Sequence, residues 1–106
     1  MHRAPAHQDV FRAIADPTRR AILDRLRGGP ARAGSLALDF RQSRPAISKH
    51  LKVLRQARLV TGVRAGRERV YSLEAVPLQR VAGWVEGYRF FWQSSLFKLK
   101  RHLEGK

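Results

Sequence analysis

Apolar positions recur in steps of three and four over most of this chain and alternate in one short stretch only. That pattern predicts a mainly α protein with one small β-hairpin. Val10, Phe11 and Ile14 mark a short first helix at about 7–15. Asp16-Pro17-Thr18 restarts the chain. Asp16 can accept from the free N–H groups of a new helix, and Pro17 suits a first position whose N–H would have no partner anyway. Ile22, Leu23 and Leu26 form the core stripe of that second helix, and Gly28-Gly29-Pro30 stops it. A third helix runs from about Ala33 to Phe40, burying Leu36 and Phe40, and Arg41-Gln42 form a turn without glycine. Ser43 is a good N-cap for a fourth helix, with Pro45 in its first turn.

The segment from Ser43 to Val60 has two faces. Ile47, Leu51 and Leu54 keep one stripe apolar, while Arg44, Ser48, Lys52 and Arg55 recur on another with Lys49 beside it. The polar stripe contains no carboxylate. An ordinary solvated face mixes signs and gains from i,i+4 pairs of opposite charge; a greasy back with an unopposed cationic front suits a DNA groove instead. Two short helices joined by a tight turn, the second basic, form a helix-turn-helix at about 33–57.

Leu59 to Val63 and Arg69 to Leu73 read as two strands placing Val60, Val70 and Tyr71 near the core, with Arg64 to Arg67 as the tip. A hairpin at about 59–73 carrying Arg64, Arg67 and Arg69 behind a basic helix is a wing. Glu68 sits among those arginines and is placed to neutralise one of them. From about Pro77 to Leu103 one long helical pattern follows, with Val81, Trp84, Val85, Tyr88, Phe91, Trp92, Leu96, Leu99 and Leu103 at steps of three and four. Six of the nine aromatics fall between Trp84 and Phe97. So much aromatic area on one surface helix is best explained as a subunit interface, to which Phe11 of the first helix is added. An effector pocket or a lipid-docking surface would use the same residues. Gly83 and Gly87 either admit a close helix neighbour or mark a bend.

Composition sharpens this reading. At 106 residues the chain fits one domain, and a hydrophobic content of 43% is ordinary for a globular protein. The charge is not ordinary: 22 Lys and Arg against 8 Asp and Glu, a net +14, with seventeen of the cations arginine. Guanidinium forks match phosphate and guanine edges, so double-stranded DNA is the leading partner and an anionic membrane the second. Cysteine is absent, which removes disulfides, thiolate metal sites and thiol nucleophiles from this chain. The first twenty residues hold no apolar signal core and no run is long enough to span a bilayer, so a cytoplasmic location is expected, without membrane partners.

The same residues carry plainer readings. Ser48 can bond back to its own helix. His50 lies one step round from the cationic stripe, so it is either a phosphate ligand or a packing residue. Arg19 and Arg20 could each reach a phosphate. Ser48, Lys49 and His50 point about 100° apart on a helix and cannot act as a catalytic triad. No phosphate loop or metalloprotease motif occurs, so no enzyme activity and no cofactor is expected. His2, His7 and His102 are scattered near the ends, and no metal site is expected.

The succession of an Asp16-Pro17-Thr18-Arg19-Arg20-Ala21-Ile22-Leu23 helix, the Ser43-to-Leu54 helix S-R-P-A-I-S-K-H-L-K-V-L, then A-R-L-V and R-A-G-R-E-R-V-Y-S-L, resembles the arsenical-resistance-repressor (ArsR) family. The resemblance runs over about residues 8–103. It implies a winged helix-turn-helix with dimerisation helices at about 7–15 and 77–103. It also implies a DNA surface of Ser43, Arg44, Ser48, Lys49, His50 and Lys52 in the major groove, with the wing on backbone or minor groove. A dimeric repressor on an inverted-repeat operator, released by an effector, is the expected function; a non-specific architectural DNA-binding protein is the alternative. Many relatives sense metals through a cysteine pair on the first helix of the helix-turn-helix, or through His and Asp on the last helix. Here Gly34-Ser35-Leu36-Ala37-Leu38-Asp39 has no thiol, and the last helix offers only Glu86, His102 and Glu104. The chain therefore resembles members without metal sites, and its effector is not identified by sequence.

Overall fold

The structure is a computed structural model and describes residues 9–105. The helices are α1 (Asp9–Ala13), α2 (Pro17–Leu26), α3 (Ala33–Phe40), α4 (Arg44–Gln56), α5 (Leu78–Glu86) and α6 (Arg89–Gly105). The strands are β1 (Ala31–Arg32), β2 (Val60–Ala65) and β3 (Glu68–Leu73). The expected helix start at His7 lies outside the described residues, as does His2.

The starts of α2 and α4 are set locally. Asp16 accepts from the Arg19 N–H at 3.0 Å, and Ser43 accepts from the Ala46 N–H at 3.2 Å, each satisfying one orphan donor of a first turn. The turn without glycine closes on Arg41, whose φ of 53° is left-handed, while the Gln42 N–H donates to the Ala37 carbonyl. Arg58 ends α4 in the same way at φ 61°, with the Leu59 N–H donating to the Leu54 carbonyl.

The core gathers Val10, Ile22, Leu36, Ile47, Leu51, Leu54, Leu59 and Val60, all withdrawn from solvent. Each such aliphatic side chain contributes about 1.5–3 kcal/mol relative to exposure. The sheet is three-stranded and antiparallel in the order β1-β3-β2, so the hairpin gains a short third strand that the sequence pattern does not announce. Ala31 pairs with Tyr71 and Arg32 with Val70. Val60 and Tyr71 face the core as expected, whereas Val70 is only half-buried. Successive strand residues point to opposite faces, so Val70 and Tyr71 cannot share one. Gly62 lies opposite Tyr71, and a Cβ there would come within 3.0 Å of the ring.

The C-terminal segment is helical, in two pieces rather than one. Around Gly87 and Tyr88 the bonding tightens: Gly87 N–H donates to Trp84 and Tyr88 N–H to Val85, each three residues back. Of the two candidate glycines, Gly87 marks the bend; Gly83 lies inside α5 with open space where a Cβ would project. α5 packs on α1, and α6 runs outward, giving a particle of 65 × 38 × 20 Å.

Candidate nucleic-acid interface

Burying Ile47, Leu51 and Leu54 fixes the rotation of α4 and leaves Ser48, Lys49, Lys52 and Arg55 exposed on its outer side. Among the described residues, none of these cations is paired with a carboxylate. The wing stands beside this face. Its turn is two residues, Gly66 and Arg67, shorter than the expected tip, because Ala65 already pairs with Glu68 and Arg64 with Arg69. Gly66 has φ 68°, the left-handed value that a two-residue hairpin loop asks of its first position. Arg64, Arg67 and Arg69 are all exposed.

Two side-chain contacts tie the wing to β1 and to α4, and neither shows in any sequence periodicity. The Arg32 guanidinium donates to the Ala65 carbonyl at 3.3 Å. The Arg44 guanidinium, at the start of α4, donates to the Glu68 carboxylate at 2.5 Å. Glu68 therefore neutralises Arg44 rather than one of the wing arginines flanking it. The cationic front of α4 is free of acids on its own helix, but its first member is opposed from the wing. Gly34 lies under the pair; a Cβ there would sit 3.1 Å from the Glu68 Oε1.

His50 is turned away from the exposed face. Its Nδ1 lies 3.4 Å from an Arg19 guanidinium nitrogen and 3.9 Å from an Asp16 carboxylate oxygen, and the side chain is largely covered. This places it as a bridge between α4 and the start of α2. Arg19 and Arg20 are likewise engaged within the chain, at the end of α1. Arg19 donates to the Ala13 and Arg12 carbonyls at 2.7 and 3.1 Å, and Arg20 donates to the Ile14 carbonyl at 2.8 Å. Cations at a helix C-terminus satisfy its free carbonyls and oppose its negative end. The Asp16 carboxyl is held below its ordinary value, first by the hydrogen bond from the Arg19 N–H and also by the charges of His50 and Arg19, against a smaller raising effect of burial.

The aromatic stripe is open. Phe11 meets Trp84 edge-on at 6.0 Å, and Trp84 meets Tyr88 at 5.3 Å, so α1 and α5 share one apolar surface. Val81 and Val85 are half-buried beneath it. Beyond the bend, Phe91, Trp92, Leu96 and Leu99 carry it along α6, with Phe91 63% and Leu96 65% exposed. Among the described residues no three His, Asp or Glu side chains gather as a metal ion would need, and no helix is long and apolar enough to cross a membrane.

This arrangement has close parallels. The family model described as "Bacterial regulatory protein, arsR family" matches residues 16–61, from the Asp16 cap to the second residue of the wing. The transcriptional repressor SdpR of Bacillus subtilis is 47% identical over 77 residues, covering 73% of this chain and 86% of that protein. The regulator Rv2034 of Mycobacterium tuberculosis is 54% identical over 69 residues, covering 65% of this chain and 64% of its own length. A solved ArsR-like transcriptional regulator from Rhodococcus sp. RHA1 superposes with a TM-score of 0.67 at 35% identity, covering 95% of each chain. The chain belongs to the arsR family of bacterial regulatory proteins and is a DNA-binding transcriptional regulator with a winged helix-turn-helix, not an enzyme.

Proposed function

We propose that this regulator is a homodimeric repressor that reads an inverted-repeat operator and covers the promoter containing it. The observation that carries this reading is the exposed, acid-free face of Ser48, Lys49, Lys52 and Arg55 on α4, standing beside the wing arginines. α4 enters the major groove with Ser43 and Arg44 at its leading end and Ser48, Lys49 and Lys52 along it. Arg64, Arg67 and Arg69 bind backbone or minor groove and fix the register. His50 serves this surface from behind, by holding α4 against Asp16 and Arg19. The likeness to SdpR, a transcriptional repressor, supports the sign of regulation.

Two copies join through the stripe of Phe11, Val81, Trp84, Val85, Tyr88, Phe91, Trp92, Leu96 and Leu99. Two-fold symmetry then demands half-sites one helical turn or a multiple apart. With no cysteine in the chain, release does not pass through a thiolate-bound metal. Selection from randomised duplexes tests the reading: a palindromic consensus is expected, and none would favour a non-specific architectural binder. If the dimer neutralises about 8–10 phosphates, log K falls against log salt with a slope of about −7 to −9. A slope shallower than about −3 on the selected site would contradict so large a footprint.

A further inference from the structure

We propose that Glu68 sets the specificity of the DNA interface by holding the Arg44 guanidinium, withholding that cation from phosphate and presenting it to a base edge. The inference rests on the proposed placement of α4 in the major groove. Its physical basis is the ion pair that crosses from β3 to the first residue of α4.

Glu68 is the only acid between Val60 and Leu73, and its sequence neighbours are Arg67 and Arg69. A carboxylate placed merely to quiet the wing would pair there. Instead it reaches Arg44, 24 residues away in sequence, while Arg64, Arg67 and Arg69 stay unpaired among the described residues. Gly34 of α3 lies against the pair: a Cβ there would press on the Glu68 carboxylate at 3.1 Å and stand in ordinary contact with the Arg44 guanidinium at 3.6 Å.

A long cation on the first turn of a recognition helix has two calls on it, a nearby phosphate and a base edge. Phosphate attracts it on any sequence and so raises non-specific binding alone. A guanidinium already joined to a carboxylate gains little from phosphate, because the two anions compete for one charge. It keeps donor groups free for a forked contact with a guanine edge, in a direction the carboxylate fixes. Arg44 remains 61% exposed in the pair, so those donors are accessible. Lys49, Lys52 and the wing arginines supply the general attraction, and Arg44 is reserved for discrimination.

Glu68→Gln keeps the shape and removes the charge. Its affinity for random duplex DNA is expected to rise about threefold to tenfold, with the salt slope steeper by about 0.9 as one more cation meets phosphate. Its preference for the selected operator over random DNA is expected to fall about tenfold, at one base pair of each half-site. In an Arg44→Ala background the same substitution should change random-DNA affinity by less than about twofold, because the effect passes through Arg44. The pair is exposed, so thermal unfolding monitors the fold and should barely change. A Glu68→Gln protein that loses affinity on both DNAs alike would show the carboxylate to be a wing anchor and overturn the proposal. Equal gains with and without Arg44 would overturn it too, as general repulsion. A wild-type protein that selects no consensus defeats the base-reading function itself; a clear consensus with unchanged Glu68→Gln discrimination defeats only the role of Glu68.

Discussion

Asp16 shows how one side chain can serve two joints. Its carboxylate caps α2 through the Arg19 N–H and faces His50 on α4, and Arg19 in turn closes the end of α1. Because the folded carboxyl is held below its ordinary value near 3.8, the charged cap stabilises the fold above that pH. The contribution is lost as acid carries the protein below it, through the depressed folded value. Asp16→Asn keeps the capping oxygen without the charge. Its deficit in melting temperature should be constant at neutral pH and shrink steadily below about pH 4. A deficit unchanged down to pH 2 would mean the charge contributes nothing. At this scale the caps at Asp16 and Ser43 are legible from sequence, because a capping oxygen acts within three residues of itself. Arg41 and Arg58 are not: each adopts the left-handed conformation that glycine would announce. The partners of His50 and Glu68 are equally silent, since they lie 31 and 24 residues away.

Among the elements, α4 is the most fully written in the sequence. Its apolar and cationic periods both persist for three turns, and burying one necessarily exposes the other. The wing is legible as a hairpin, but its two-residue strand partner β1 exists only through pairing with Tyr71 and Val70. No pattern two residues long can signal a strand. The division of labour between the two elements can be measured. Arg44→Ala should cost roughly 1–3 kcal/mol on the selected operator and relax preference at one base pair. Arg67→Ala should weaken operator and random DNA alike and make the salt slope shallower by about one. Competition binding at several salt concentrations separates the two. Equal losses on both DNAs for Arg44→Ala would remove it from base reading.

For the whole molecule the governing feature is how far it departs from a sphere. Its radius of gyration is 18.3 Å, whereas a compact domain of this length has about 13 Å. The excess is α6, which leaves the body after Gly87 with its apolar residues uncovered. The period of the stripe is legible in the sequence; the bend is not, because Gly83 and Gly87 look alike until the backbone bonds are seen to tighten at the second. If the stripe joins two copies, Phe91→Glu with Leu96→Glu should leave a monomer in analytical ultracentrifugation. Operator affinity should then fall by about 100-fold or more, as one half-site must bind without its twin. A double variant that still sediments as a dimer would place the seam elsewhere.

The outward course of α6 also says when this part of the chain can be a helix at all. Seventeen residues are barely enough to hold a helix in water without a neighbour. If the stripe is the seam between copies, ordering α6 and pairing two chains become a single equilibrium, and its position obeys mass action. Diluting the protein should therefore lower its melting temperature and its helix content together. The abundance of the regulator would then be part of what determines its shape.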